Sequence, residues 1–178
     1  MNSHQAGSPS NIVLAGFMGT GKTATGQILA RLLNMTFIDM DDVIMQRAGK
    51  PISRIFAEDG EPHFRALERT LVRELSAGKG LVIATGGGIV LNPDNISDYG
   101  RTGLVICLSA TPETILSRLS NDTSRPLLSG DEKMKKILAL LEARSHLYAA
   151  IPHRIDTSSL SPEKVADQVI ELFTNKRI

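Results

Sequence analysis

The sequence holds one cysteine, Cys107, so no disulfide can form within the chain. It sits in the apolar run LVICL, which predicts a buried, inert thiol rather than a nucleophile. An excess of either charge is missing too. Twenty Lys and Arg against nineteen Asp and Glu leave a net charge of +1. Nothing global therefore points to nucleic acid or to an anionic membrane, and any anion site must be built locally. No apolar run approaches the roughly 20 residues needed to span a bilayer. The opening MNSHQAGSPS is polar and has no apolar core of the secretory kind. Residues 1–10 read as a short disordered leader, and the default location is cytoplasmic. Internal repeats and low-complexity tracts are also absent.

What remains has the composition of an ordinary globular protein, with 178 residues, 42% of them hydrophobic. That length fits one domain, here residues 11–178. β-Favouring apolar runs alternate with helical patterns. Strands are expected at Asn11–Ala15, Met35–Asp39, Leu81–Thr85, Leu104–Ser109 and His153–Asp156. Helices are expected at Lys22–Leu33, Glu61–Ala77, Pro112–Leu119, Asp131–Tyr148 and Pro162–Phe173. Thr111-Pro112 and Ser161-Pro162 each place a hydroxyl at an N-cap and proline at the first helical position. The alternation implies an α/β fold, a parallel sheet covered on both faces by helices. Once helices cover the sheet no long apolar stripe is left over, so a monomer is expected. Thr85–Asp94 and Asn121–Glu132 read as irregular, the latter as a lid or binding loop.

Residues 16–23, GFMGTGKT, follow the first strand and open the first helix. They match G-x-x-x-x-G-K-[ST] through Gly16, Gly21, Lys22 and Thr23. The glycines let backbone N–H groups of Gly19, Thr20, Gly21 and Ala24 curl around phosphate oxygens. The helix N-terminus adds a favourable dipole. Lys22 can reach the β- and γ-phosphates, and Thr23 can hold Mg²⁺. The loop alone indicates a nucleoside triphosphate and fits kinases, hydrolases and GTPases alike.

The rest of the chain narrows the choice. The only Asn-Lys pair, Asn175-Lys176, comes too late to read guanine. The third strand runs into Gly86-Gly87-Gly88 rather than an Asp-Glu pair, so a small kinase remains. FIDMDD ends the second strand, and alternation puts Asp39 and Asp41 on one side, at the sheet edge where α/β folds bind ligands. One carboxylate can hold water on Mg²⁺ and the other can accept from substrate hydroxyls and draw off a proton. Asp42 reads as a first-turn helix charge. Arg65 and Arg144 can clamp an anionic acceptor, since a guanidinium fork suits a carboxylate. Arg65 and Glu68 also read as a simple i,i+3 pair. Arg125 can close on the γ-phosphate. The three glycines allow close approach of backbone N–H groups to a ligand. The acceptor these groups describe is a small polyhydroxy acid.

Taken in order, GFMGTGKT, FIDMDD, IFAEDGEPHFRALE, TGGGIV, SRPLL, ARSHLY and IDT resemble the shikimate kinase family over most of the chain. The resemblance implies transfer of a phosphoryl group from ATP to the 3-hydroxyl of shikimate, on the route to chorismate. It implies that Asp41, Arg65, Gly87 and Arg144 bind shikimate, with Phe56, Phe64, Glu68, Gly86 and Gly88 lining the pocket. Lys22 and Arg125 would act on the transferring group, Thr23 would hold Mg²⁺ with Asp39 reached through water, and Arg118 and Pro162 would lie on the adenine side. The implied fold is a three-layer P-loop kinase with a five-stranded parallel sheet in order 2-3-1-4-5, a helical substrate-binding region near 41–69 and a lid near 121–132. Met40, His146 and a one-residue shortening before the last strand depart from the family pattern. A gluconate-type sugar-acid kinase shares the phosphate loop but should lack FxDxD, FR..E and the triple glycine in this order. A non-catalytic nucleotide-binding module should have lost Lys22, Asp41 or Arg125, and all three are present.

Overall fold

Asn11–Gly16 forms β1, with every residue buried. A continuous apolar strand of this kind belongs in the middle of a parallel sheet, where helices cover both faces. The computed structural model describes residues 10–119 and 132–176. After β1 come α1 (Lys22–Leu33), β2 (Thr36–Asp39), α2 (Met40–Ala48), α3 (Ile52–Glu58), α4 (Glu61–Ser76) and β3 (Leu81–Ala84). A 3-10 turn at Ile89–Leu91 then leads to α5 (Pro93–Thr102), β4 (Gly103–Ser109), α6 (Pro112–Leu119), α7 (Lys133–Ala149), β5 (His153–Asp156) and α8 (Pro162–Asn175).

The strands form one five-stranded parallel sheet in the order β2-β3-β1-β4-β5, as the family resemblance implies. Alternation along β1 divides the core. Ile12 and Leu14 face Leu29 of α1 and Val165, Val169 and Phe173 of α8. Val13 and Ala15 face the second cluster, which holds Met40, Ile55, Phe64, Tyr99, Ile115 and Tyr148 from helices α2 to α7. The sheet is thus the middle of three layers.

Several expectations need correction. One helix, α5, escapes the sequence reading, while α2 and α3 fall within the helical region expected near 41–69, which the sequence does not divide. β2 stops at Asp39, whose side chain accepts from Asp41 N (3.0 Å) and so caps α2. Asp39 and Asp41 therefore share an edge through a strand-to-helix turn and not through strand alternation. Thr85–Asp94 is not irregular throughout. Ile89 and Val90 are buried in a 3-10 turn, and Asn92 caps α5 by accepting from Asp94 N. The expected caps at Thr111 and Ser161 are present, accepting from Thr114 N (3.3 Å) and Lys164 N (3.4 Å). Of the segment read as a lid, residues 121–131, Arg125 included, lie outside the described residues, as do residues 1–9 of the leader.

Candidate active site

The turns after β1, β2 and β3 meet at one edge of the sheet, beyond the strands' carboxyl ends. The first is the glycine loop. Gly16 has φ 136, and a Cβ there would collide with the Leu108 carbonyl oxygen of the neighbouring strand. Gly21 (φ 93) starts α1 without a side-chain cap, which leaves the helix's first N–H groups to a ligand. Phe17 and Met18, for which the loop chemistry offers no role, are core residues that anchor the loop from beneath. Thr20 is fully buried, its hydroxyl donates to Phe17 O (2.8 Å), and it lies outside the residues that line the cleft. Lys22 Nζ donates to Gly16 O (2.9 Å) and Phe17 O (2.8 Å), which curls its chain across the loop. Gly19, Gly21, Lys22, Thr23 and Ala24 line a cleft of about 280 Å³ together with Asp39, Asp41, Gly87 and Arg118.

Thr23 and Asp39 have the chemistry for Mg²⁺. The Thr23 hydroxyl donates to Asp39 Oδ2 (2.8 Å), so its proton is committed and its oxygen lone pairs stay open to a metal. Among the described residues no group of three His, Cys, Asp or Glu is gathered. A hydroxyl backed by one carboxylate suits an ion that keeps several waters and takes its other ligands from phosphates.

On the acceptor side, α4 carries Phe64, Arg65 and Glu68 on neighbouring turns. Arg65 pairs with Glu68 and with Glu61 (2.8 Å), and its Cζ lies 5.2 Å from the centre of the Phe64 ring. Phe64 packs against Phe56 with ring centroids 4.9 Å apart. The Arg65–Glu68 pair is more than a surface i,i+3 contact, because Glu68 is 1% exposed. Burial raises the Glu68 carboxyl above its usual range, against the pull of Arg65, and the Asp41 charge adds to the rise. Burial lowers the Arg65 pKa, but the Glu68 charge and the hydrogen bonds from Glu68 and Glu61 outweigh it, so the guanidinium is held charged. Glu68 Oε1 is buried without a hydrogen-bond partner.

Gly86–Gly88 threads between these groups. A Cβ at Gly86 would lie 2.7 Å from Glu68 Oε1 and 3.1 Å from Asp41 Oδ1, and one at Gly88 would overlap the Arg65 guanidinium. A Cβ at Gly87 would lie 3.3 Å from Met18 N in the phosphate loop. The turn thus touches both halves of the site, and no side chain larger than hydrogen fits without displacing one of them. Arg144 on α7 is buried, and its Nη1 reaches Gly87 O at 3.5 Å. His146 is exposed two residues further on and does not disturb that arrangement. Arg65, Glu68 and Gly88 also line a hollow of about 430 Å³ towards α5.

Arg118 is tied to the loop that follows β5. Its Nη1 donates to Gly19 O (3.2 Å) and Thr157 Oγ1 (3.0 Å), and its Nη2 to Thr157 O (2.7 Å). Pro162 stands at the first position of α8, outside the residues lining the cleft. Two residues without a role in the sequence reading join the site. Thr157 is buried, and its hydroxyl lies 3.0 Å from both Thr20 O and Ser109 O. Tyr148 OH donates to Gly87 O at 2.6 Å. Tyr148 acts across 61 residues and Thr157 reaches Thr20 across 137, so their motifs, ARSHLY and IDT, do not by themselves reveal these contacts.

The family model described as shikimate kinase matches residues 18–174. A shikimate kinase of Pelotomaculum thermopropionicum is 46% identical over 163 residues, covering 92% of this chain and 95% of that protein. A shikimate kinase of Desulforudis audaxviator is 45% identical over 166 residues, covering 93% and 87%. Among solved structures, the shikimate kinase from Acinetobacter baumannii in complex with shikimate superposes with a TM-score of 0.90 at 34% identity, covering 96% of each chain.

Proposed function

The chain belongs to the shikimate kinase family, and on that premise we propose that it transfers the γ-phosphoryl group of ATP to the 3-hydroxyl of shikimate. The observation that carries this reading is the triple-glycine turn. Its Gly87 abuts the phosphate loop, while Gly86 and Gly88 abut Glu68, Asp41 and Arg65. A donor half built for polyphosphate and an acceptor half built for a hydroxylated carboxylate are thereby held against each other. ATP and shikimate are the partners this arrangement suits.

In the proposed reaction the substrate oxygen forms a bond to the γ-phosphorus as the bond to the β-phosphate bridging oxygen breaks, and ADP departs. Asp41 takes the hydroxyl proton. Backbone N–H groups from Gly19 to Ala24 hold the donor phosphates, and Lys22 swings from the loop carbonyls to the transferring group. Arg65 and Arg144 bind the shikimate carboxylate, with Glu68 orienting Arg65. Phe56, Phe64, Gly86, Gly87 and Gly88 shape the pocket. Thr23 would hold Mg²⁺ directly, with Asp39 reached through water, and the ion would neutralise phosphate charge. Arg118 and Pro162 are assigned to the adenine side. On sequence resemblance, Arg125 is assigned to the transferred group, within a lid at 121–132. A monomer in the cytoplasm completes the reading.

The test is ADP release with Mg-ATP and, in turn, shikimate, quinate, gluconate and no acceptor. Turnover is expected with shikimate. Turnover with gluconate and none with shikimate would favour a sugar-acid kinase, and no turnover with any acceptor would favour a binding module.

A further inference from the structure

Gly87 O is the meeting point of two donors from one helix face. Tyr148 and Arg144 are four residues apart on α7, so they stack on the same side of the helix. Tyr148 OH reaches the carbonyl at 2.6 Å, a short and well-made bond, whereas Arg144 Nη1 stands at 3.5 Å, the long limit of one. Tyr148 is 9% exposed and Arg144 6% exposed, so both residues are buried. The two groups also hydrogen-bond each other, the guanidinium donating to the phenol oxygen; burial raises the phenol's pKa, and the Arg144 charge and this bond pull against it.

A carbonyl oxygen has two lone pairs, and Gly87 O takes both donors. We propose that Tyr148 is a positioning residue for shikimate binding: its hydroxyl donates to Gly87 O and accepts from Arg144, and so fixes the orientation of the guanidinium assigned to the substrate carboxylate. The inference rests on the assignment of Arg144 to the carboxylate made above.

Tyr148→Phe keeps the ring in the core and removes the hydroxyl alone. The KM and calorimetric Kd for shikimate should then rise about three- to tenfold, the effect of one hydrogen bond. The kcat and the KM for ATP should stay within about twofold. Arg144→Ala should weaken shikimate further, and adding Tyr148→Phe to it should cost nothing more, because there is no guanidinium left to orient. An unchanged shikimate affinity in Tyr148→Phe, with Arg144→Ala still weakened, overturns the inference and leaves the assignment of Arg144 standing. A joint fall in kcat, in affinity for both substrates and in melting temperature shows a structural role and also overturns it. If Arg144→Ala itself leaves shikimate binding intact, the assignment of the site fails and the inference fails with it.

Discussion

The Thr23 hydroxyl points its proton at Asp39, with Oγ1 and Oδ2 2.8 Å apart, and so joins the first turn of α1 to the end of β2. The other oxygen of Asp39 caps α2. One carboxylate thus serves the fold and the proposed metal site, and two substitutions separate these roles. Asp39→Asn keeps a good cap and should leave stability within about 0.5 kcal/mol, whereas Asp39→Ala should lose about 1 kcal/mol. Both should raise the Mg²⁺ concentration needed for half-maximal turnover by about tenfold or more. Shikimate affinity measured by calorimetry without nucleotide should not move. Urea unfolding and a Mg²⁺ titration check the pair of outcomes.

The glycines of the site should differ sharply in what alanine does to them. At Gly88 the backbone (φ −95) accepts any residue, and the added methyl meets the flexible end of Arg65. Gly88→Ala should therefore fold normally and raise the KM for shikimate about tenfold or more, by displacing the guanidinium. Gly16 has a positive φ, and its methyl would meet the rigid Leu108 carbonyl. Gly16→Ala should destabilise the fold by about 2 kcal/mol or more. Comparing the two variants by thermal melting and steady-state kinetics tests the contrast.

Thr157→Val removes the hydroxyl that reaches Thr20 O and receives Arg118 while keeping the side chain's shape. The phosphate loop loses a tie to the β5–α8 connection. The KM for ATP is expected to rise about threefold to tenfold with little change for shikimate. Equal changes for both substrates would show that Thr157 serves the fold as a whole.

Cys107 should behave as a silent thiol. It is 2% exposed, and burial pushes its pKa up to about 11 from an ordinary 9.0. A group whose folded pKa is raised contributes stability that is full below its unfolded value and is lost as pH rises through its folded value. The urea midpoint of the wild type should consequently fall more steeply between pH 9 and pH 11 than that of Cys107→Ala. Native protein at pH 8 should resist iodoacetamide and label once unfolded.

Much of this architecture is legible in the chain, and what is missed has identifiable causes. The inner strands β1, β3 and β4 stand out because a sheet covered on both faces needs unbroken apolar runs there, while the edge strands β2 (TFID) and β5 (HRID) are shorter and partly exposed. The helix α1 follows from the glycine loop, and α6 and α8 from a hydroxyl before proline. Asn92-Pro93 carries the same start signal for α5, but the preceding glycines read as irregular and mask it. The helix α2 is signalled by Asp42 as a first-turn charge, but its cap is not, because Asp39 looks like chemistry alone although it also caps the helix. Met40, a departure from the family pattern, is fully buried and receives a hydrogen bond from Tyr99 OH on Sδ (3.1 Å). That explanation needs α5 in place and has no local signature. Thr157 and Tyr148 end the IDT and ARSHLY motifs, but their partners are distant in sequence, so their contacts are not legible there; the same holds for Phe17 and Met18, whose burial follows from the sheet beneath the loop.

The central claim is that two buried or half-buried arginines, Arg65 and Arg144, read a carboxylate beside the phosphate loop. The most direct test is kcat/KM for shikimate and for its methyl ester, measured with wild type and with Arg65→Ala. The wild type should prefer the free acid by about hundredfold, since hydrogen bonds to a charged group are at stake, and Arg65→Ala should narrow that gap severalfold. Equal turnover of the acid and the ester by the wild type would contradict the account.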